Sequence, residues 1–435
     1  MTPHLAFQKQ IYEFLLESQY FPAEEIRRHQ QNQLEHLARF ATAEVPFYKD
    51  RLACLFKRDG GFDFSRWQEV PILKREDILN HREQMLAQQL PNGHGPTKDF
   101  TGTGTTGIPV TTRQNVLVGL ASHAALFRAF NWNGLDFKRN MFRWHAAKAD
   151  DARESEGFID QGWGPAWDTA TKPGLSISLN HINPVAQAAD LMSQYKPAYV
   201  KGRANNLFDL AQEMRSRGKP PKLDCMFAFG ANLSEATREE CMDVFGARVM
   251  DIYNSKEAYD IAHQCPESSN YHVNWELMLV EVLDENNNAC PPGVQGRCIV
   301  TPFYNTAQPL IRYDIGDQIT LGADCKCGRT LQTLSSLNGR TIHMFRRENG
   351  EKFSPRFPGF LKKLIGAHEW QFAQTALNTV EVRYLKLAEA PPSGFVDLTQ
   401  IIRSQIGADT QVVFNPMAKL PLTPAGKLLE STCEI

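Results

Sequence analysis

The densest run of potentially reactive residue types is Phe100-Thr-Gly-Thr-Gly-Thr-Thr-Gly-Ile-Pro-Val110, with three glycines and four threonines in positions 101–107. Glycine lets a backbone close on a ligand or take positive φ, and hydroxyls beside backbone N–H groups suit phosphate oxygens. The spacing Gly102-x4-Gly107 is that of a Walker loop, which continues with Lys-Ser/Thr. Here Ile108-Pro109 comes next, so the lysine for the phosphates and the hydroxyl for magnesium are both missing, and a Walker loop is excluded. On its own the stretch suits a polar hairpin equally well. A helix pattern lies just beyond it: Asn115 to Phe130 carries Leu117, Leu120, Ala124 and Phe127 on one face. A loop entering a helix N-terminus meets free N–H groups and the positive end of the dipole, which is where an anion sits.

A second concentration is made of sulfur and imidazole. Cys265-x6-His272 and Cys325-x-Cys327 are two half-sites of the donor types zinc prefers. A Cys3His set is closed, so the ion would be structural; His263 or Cys290 are alternative ligands, and ordinary reduced cysteines are the bland alternative.

Elements must position these groups. In residues 1–60, Leu34, Leu37, Phe40 and Ala41 fall at helical spacing until Val45-Pro46 breaks the pattern. Val70-Pro-Ile-Leu-Lys-Arg-Glu-Asp-Ile78 reads as an extended piece entering a helix. From residue 175 short apolar runs alternate with helical ones: Ala198-Tyr-Val200, Cys225–Phe229 and Arg248–Tyr253 as strands, Asn206–Met214 and Ser234–Val244 as helices. That alternation predicts an α/β sheet with parallel pairing. Glu276–Leu283 and Arg297–Thr301 continue as a meander. A boundary is expected near Asn338-Gly339-Arg340, dividing the chain into residues 1–339 and 340–435. Beyond it Thr341–Phe345 and Lys352-Phe353 flank an Asn349-Gly350 turn, Val380–Leu387 alternates as a strand, Leu398–Ile406 reads as a helix and Gln411–Phe414 as a strand. The last part is expected to be a small α+β domain.

At 435 residues, 42% hydrophobic and 22% charged, the chain has the material for two or three globular domains, and its net charge of -2 invites neither nucleic acid nor an anionic membrane. No apolar run approaches the ~18 residues of a membrane span. Neither a secretory leader nor a disulfide framework is visible among the nine cysteines, so reduced thiols and a cytoplasmic setting are expected.

Four separated stretches, taken together, resemble the adenylate-forming superfamily over nearly the whole chain. Thr101 to Pro109 is similar to its Ser/Thr/Gly-rich phosphate loop. Asp251-Ile-Tyr-Asn-Ser-Lys-Glu257 resembles its Tyr-Gly-x-x-Glu motif, and Pro309-Leu-Ile-Arg-Tyr-Asp-Ile-Gly-Asp317 its Arg-Tyr-x-x-Gly-Asp motif. Leu420-Pro-Leu-Thr-Pro-Ala-Gly-Lys427 resembles the C-terminal motif ending in a catalytic lysine. Val70-Pro-Ile-Leu-Lys74 and Cys325-Lys-Cys-Gly-Arg-Thr330 look like the phenylacetate–CoA ligase and capsule-biosynthesis CapK-like branch.

The resemblance implies a large N-terminal adenylate-forming α/β domain with mixed sheets, plus a small mobile C-terminal α+β domain carrying Lys427. It implies ATP-dependent activation of a carboxylic acid, aromatic by analogy, as acyl-AMP with pyrophosphate release. The acyl group then passes to a thiol, expected to be coenzyme A. An amine or carrier protein as acceptor, or a nucleotide-binding homologue without turnover, are the alternatives. Thr103, Gly104, Thr105, Thr106 and Gly107 are assigned the triphosphate. Tyr253 is assigned the adenine face, with Asn254 and Ser255 beside it, and Gly230, Ala231 and Asn232 the backbone along the adenine. Glu257 is assigned magnesium, Asp317 the ribose hydroxyls with Arg340 nearby, and Lys427 and Glu257 the catalytic step. The chain departs from the family pattern where Ile108 stands for a common Lys, Asn254 for Gly, Lys256 for Thr or Ser, Asp314 for Arg, and Thr341-Ile342-His343 for a hinge Asp. These departures bear on ATP affinity and domain motion more than on the fold. A monomer or homodimer is expected.

Overall fold

The computed structural model describes the chain except residues 103–109, 146–156, 169–171, 182, 219, 231–232, 341–343, 351, 354, 356, 358, 388, 422–428 and 430. The chain divides into two compact units. The first comprises Met1–Phe100, Thr112–Ile315 and Thr320–Ser336, the second Thr101–Thr111, Gly316–Ile319 and Leu337–Ile435.

The first unit opens with helices α1 (Pro3–Ser18) and α2 (Ala23–Glu44), the latter ending at Val45, before Pro46. The apolar positions of α2 bury Leu34, Leu37, Ala38 and Ala41 in one core with Tyr48, Leu55 and Trp67. Short helix α3 (Arg75–His81) follows the extended Val70–Lys74 piece. That piece is held by the buried Arg312, whose Nη1 donates to the Val70 carbonyl (2.7 Å) and whose guanidinium pairs with Glu281 (3.1 Å). Strands β1 (Thr97–Thr101) and β2 (Thr111–Asn115) form a two-stranded sheet, and Asn115 caps helix α4 (Val116–Trp132) by accepting from Val118 N.

The remaining strands of this region are β3 (Met141–His145), β4 (Phe158–Gln161), β5 (Leu175–Asn180), β6 (Tyr199–Arg203), β7 (Cys225–Phe229), β8 (Arg248–Ser255), β9 (Tyr259–Gln264) and β10 (Tyr271–Val273). They are followed by β11 (Met278–Leu283), β12 (Gln295–Pro302), β13 (Tyr313–Leu321) and β14 (Thr333–Arg340). Together they form one twelve-stranded sheet in the order β11-β12-β13-β14-β10-β9-β8-β7-β6-β3-β5-β4. Strands β5, β3, β6, β7 and β8 run parallel, joined by helices α5 (Val185–Tyr195), α6 (Ala204–Ser216) and α7 (Glu235–Phe245). Residues alternate between the faces of a strand. Phe142, Trp144, Val200, Met226 and Ala228 therefore point to the helices α5–α7. Met141, Tyr199, Cys225 and Phe227 point the other way, against Leu126, Phe127 and Phe130 of α4. A buried ion pair fixes α4 at its far end. Arg128 Nη1 lies 2.5 Å from Glu276 Oε1, and Ser18 Oγ donates to the same oxygen at 2.7 Å.

The second unit contains the small hairpin β15 (Phe345–Arg346) and β16 (Lys352–Phe353) around the Asn349-Gly350 turn. Its four-stranded sheet consists of β17 (Ala367–Ala376), β18 (Thr379–Lys386), β19 (Gln411–Pro416) and β20 (Ser431–Cys433), in the order β19-β18-β17-β20. Helix α8 (Gly394–Ile406) lays Leu398, Ile402 and Ile406 on Trp370, Phe372, Val380 and Val382.

Candidate functional site

Thr103, Gly104, Thr105, Thr106, Gly107, Ala231, Asn232 and Lys427 lie outside the described residues, as does the side chain of Arg340. Gly102 and Val110 bracket the first of these runs; Gly102 N donates to the Val110 carbonyl at 2.7 Å and Thr101 Oγ1 meets Thr111 Oγ1 at 2.9 Å, so the Gly/Thr stretch joins two paired strands.

The motif around Tyr253 is carried by β8 and the turn into β9. Tyr253 is buried opposite Ala262, and Asn254 Nδ2 points to Asp260 Oδ1 at 3.4 Å. Ser255 Oγ accepts from Ala258 N (3.0 Å), which tightens the turn, and Tyr259 completes it at φ 58. Glu257 sits in this turn. By itself it reads as a solvated helix charge, yet it is 6% exposed and makes no ion pair among the described residues. Gly230 follows β7 at φ 68, a conformation that side chains rarely adopt, and a Cβ there would meet nothing within 4 Å; it is exposed. Asp317 is half-buried on β13 after Gly316 (φ 83) and belongs to the second unit. Asp314, where the family pattern has Arg, pairs with Arg297 (2.8 Å). Arg312, of the same motif, is the structural hub that holds Val70 and Glu281.

Cys265, His272, Cys325 and Cys327 come together, with one donor atom from each within 4.8 Å of all the others. Cys265 directly follows β9, His272 lies on β10, and the two other cysteines lie in the connection from β13 to β14. Cys325 Sγ is 3.8 Å from Cys265 Sγ, too far for a disulfide, and Cys327 Sγ is 3.3 Å from His272 Nε2. Burial, then the charges of Arg329 and Arg128, push the His272 imidazole down to about 4, so it is neutral and able to donate a lone pair. Arg329 and Arg128 both lie over the Trp132 ring, 4.8 and 5.2 Å from its centre, and that ring packs edge-on against His272 at 5.5 Å. Burial raises the Cys265 thiol to about 11. Burial acts the same way on Cys325, but hydrogen bonds from Ser268 and its cysteine neighbours outweigh it and leave that thiol below its ordinary value. His263 and Cys290 are not part of the set.

A second polar cluster leaves only a faint signal in the sequence. In parallel register Ser178 of β5, Arg143 of β3, Lys201 of β6 and Phe227 of β7 form one row, on the face that α4 covers. Arg203 is one step further along β6. On α4, His123 lies one turn before Phe127, so it belongs to the same helix face. None of Arg143, Lys201 and Arg203 forms an ion pair among the described residues. Burial pushes Lys201 down to about 8, with the Asp260 carboxylate pulling the other way and Arg143 adding to the fall. His123 is lowered by burial and then by Lys201. Asp260 would be raised by burial, but the His263 hydrogen bond, then the charges of His263, Lys201 and His123, hold it below its usual range. The signal in the sequence was the alternation Lys201-Gly-Arg203 inside a parallel strand, where both faces are ordinarily apolar.

No family model matches the chain. The chain is 24% identical over 339 residues to the phenylacetate-coenzyme A ligase of Thermus thermophilus, an alignment covering 74% of this chain and 72% of that protein. Among solved structures it is similar to a 2-hydroxyisobutyryl-CoA ligase in the postadenylation state with its acyl-AMP bound, at TM-score 0.69 and 18% identity over 93% of this chain and 89% of the other. It is also similar to the o-succinylbenzoate coenzyme A synthetase of Bacillus subtilis in complex with ATP and magnesium, at TM-score 0.51 and 15% identity over 76% of this chain and 68% of the other. The fold is the one these coenzyme A ligases share, and in sequence the chain is similar to a phenylacetate-coenzyme A ligase, so the resemblance read from the motifs is borne out. Among the described residues no helix is long and apolar enough to cross a membrane.

Proposed function

We infer that the chain is an AMP-forming acid–thiol ligase: it activates a carboxylic acid with ATP as acyl-AMP, releases pyrophosphate and transfers the acyl group to coenzyme A. The observation that carries this reading is the similarity to a phenylacetate-coenzyme A ligase across 74% of the chain, on a chain that also bears four motifs of this chemistry in order. The roles follow the resemblance residue by residue. Thr103 to Gly107 hold the triphosphate, and Tyr253 and the Gly230–Asn232 segment hold adenine, with Asn254 and Ser255 shaping the turn. Asp317 accepts the ribose hydroxyls near Arg340. Glu257 is the magnesium ligand, and its burial without a cationic partner among the described residues supports this, because an isolated buried carboxylate is costly unless something neutralises it. Magnesium, when bound, would offset charge on the phosphates as pyrophosphate leaves. Lys427, on the C-terminal segment, brings its ammonium between the substrate carboxylate and the α-phosphate, where like charges must approach. Residues 340–435 act as the small mobile domain that carries it.

The Cys3His cluster holds a structural zinc. Tetrahedral ligation with Zn–S of ~2.3 Å and Zn–N of ~2.0–2.1 Å puts sulfurs ~3.8 Å apart and sulfur and nitrogen ~3.6 Å apart. The observed separations are 3.8 Å for Cys265–Cys325 and 3.3 Å for Cys327–His272. With four protein donors no vertex is left for a substrate, so the ion would hold β9, β10 and the β13–β14 connection together. Consumption of ATP and coenzyme A, with nine thiols unpaired, fits a cytoplasmic protein. The experiment that tests the acceptor is incubation with ATP, magnesium and a panel of acids, with and without coenzyme A. An acyl-CoA thioester formed only in the complete mixture is expected. Acyl-AMP that accumulates and passes to hydroxylamine but never to coenzyme A would overturn the thiol assignment.

A further inference from the structure

The row Ser178–Arg143–Lys201 and the neighbouring Arg203 form a chamber under the N-terminal half of α4. Where the C-terminal half of that helix buries Leu126, Phe127 and Phe130 against Met141, Tyr199 and Phe227, the N-terminal half brings His123 within electrostatic reach of Lys201 and Arg143 instead. A cavity lined by Ser122, Tyr259, Asp260, Leu277 and Tyr304 opens beside it. The Ser178 hydroxyl, 1% exposed, and the Nε of Arg203 are buried and have no hydrogen-bond partner among the described residues. Asp260 is the carboxylate whose charge acts on Lys201, and it is itself engaged by His263 Nε2 at 3.4 Å and Asn254 Nδ2 at 3.4 Å. Asp160 offsets part of the Arg143 charge. Three guanidinium or ammonium groups therefore share a half-buried site without one ion pair of their own among the described residues. Buried cations persist at low cost only when an anion joins them.

Position narrows what that anion is. By register Arg203 pairs with Phe229, the residue before Gly230, while Lys201 pairs with Phe227 and Arg143 with Lys201, so Lys201 and Arg143 are set back on the order of 10 Å from Gly230. By the resemblance Gly230 lies along the nucleotide, so a group held at this row belongs to the part of the substrate remote from it. We propose that the acid activated by this chain carries a second anionic group at the end remote from the reacting carboxyl, and that Arg143, Lys201, Arg203 and Ser178 hold it. The proposal rests on the ligase reading and adds to it the substrate class: dicarboxylates, or acids with another anionic tail, rather than acids with a bare hydrocarbon or aryl end.

The test compares matched acids in acid-dependent exchange of labelled pyrophosphate into ATP: hexanoate against adipate, and phenylacetate against 4-carboxyphenylacetate. Charge-assisted hydrogen bonds to a desolvated anion lead to an expected preference for the dicarboxylate in kcat/KM on the order of 10²-fold. Lys201→Met and, separately, Arg143→Gln should each shrink that ratio about tenfold or more while the KM for coenzyme A stays in place. Equal or better use of the monocarboxylates by the unaltered protein overturns the proposal. So does a ratio that survives both variants. A coenzyme A KM that rises in Lys201→Met with the acid ratio intact assigns the chamber to the coenzyme's phosphates and also overturns it. If no acid supports exchange, the ligase reading has failed, and calorimetry decides the chamber by itself. Adipate and hexanoate are titrated into the full chain with AMP at pH 8.5. Adipate binding that takes up a proton, and is lost in Lys201→Met, upholds the anion site; no difference between the two acids removes it.

Discussion

The thiol–imidazole cluster and the cationic chamber lie in the same unit and are built in opposite ways. The first draws four side chains from two short segments, 265–272 and 325–327, and each donor has another within a few ångströms. The second draws residues from α4, β3, β5 and β6, and Arg143, Lys201 and Arg203 form no ion pair among the described residues, with Asp260 and Asp160 only partly offsetting their charge. A set whose donors are matched in number to one ion is complete once that ion is bound, and serves stability. A set with surplus charge of one sign is complete only with a ligand, and serves recognition. Breaking each should therefore be read out differently, in melting for the first and in binding or rate for the second.

The largest effect is expected at the closed set. Purified protein should hold about one zinc per chain, and Cys325→Ser or a strong chelator should lower the thermal midpoint by on the order of 10 °C, since a structural ion contributes folding energy directly. ATP affinity should change little in protein that remains folded. Metal analysis without zinc, or a variant that melts like the parent, would collapse the distinction between the clusters. Next comes the reaction cleft. Lys427→Ala should melt normally, cut pyrophosphate exchange by ~10²–10³, and still convert a supplied acyl-adenylate to thioester at close to the parent rate. Loss of both half-reactions together would contradict its confinement to adenylation. Asp317→Ala should weaken ATP binding by roughly 2–4 kcal/mol, as two charge-assisted ribose hydrogen bonds are lost and partly regained from water. Unchanged affinity in a folded variant would make Asp317 a turn residue after Gly316.

The smallest effect concerns Asp251, two residues before Tyr253 on β8. Burial raises its carboxyl to about 6, against the hydrogen bond donated by Tyr271 Oη at 2.8 Å. An unfolded Asp titrates near ~3.9, so folding takes up a proton between these values. The contribution is fully present below pH ~4 and is lost as pH rises through ~6. Asp251→Asn keeps the neutral acceptor and should be more stable than the parent by about 1–3 kcal/mol at pH 8, with the advantage vanishing near pH 4. Urea denaturation at the two pH values measures it; an advantage that is the same at both would remove the titration from the explanation.

Legibility in the sequence followed how local each feature is. The α2 stripe of Leu34, Leu37 and Ala41, the helix pattern from Asn115 to Phe130 and the 349–350 hairpin are local patterns and fold as read. The two halves of the metal cluster are local too, so only their meeting had to be inferred. Lys201 and Arg143 are 58 positions apart in sequence and become neighbours only through the parallel pairing of β3 with β6. No spacing rule reaches that far. Glu257 was ambiguous for another reason: its burial comes from a tight turn closed by Ser255 and Tyr259, whereas its composition alone suits an exposed helix.

The central claim, that this chain activates carboxylic acids as adenylates, is tested most directly by acid-dependent exchange of labelled pyrophosphate into ATP. The measurement needs neither the thiol acceptor nor an identified product, only a panel of mono- and dicarboxylic acids. The account predicts exchange that requires magnesium and an acid and falls by ~10²–10³ in Lys427→Ala. A folded, ATP-binding protein that catalyses no exchange with any acid of the panel would contradict it, and would leave a nucleotide-binding protein on a ligase fold.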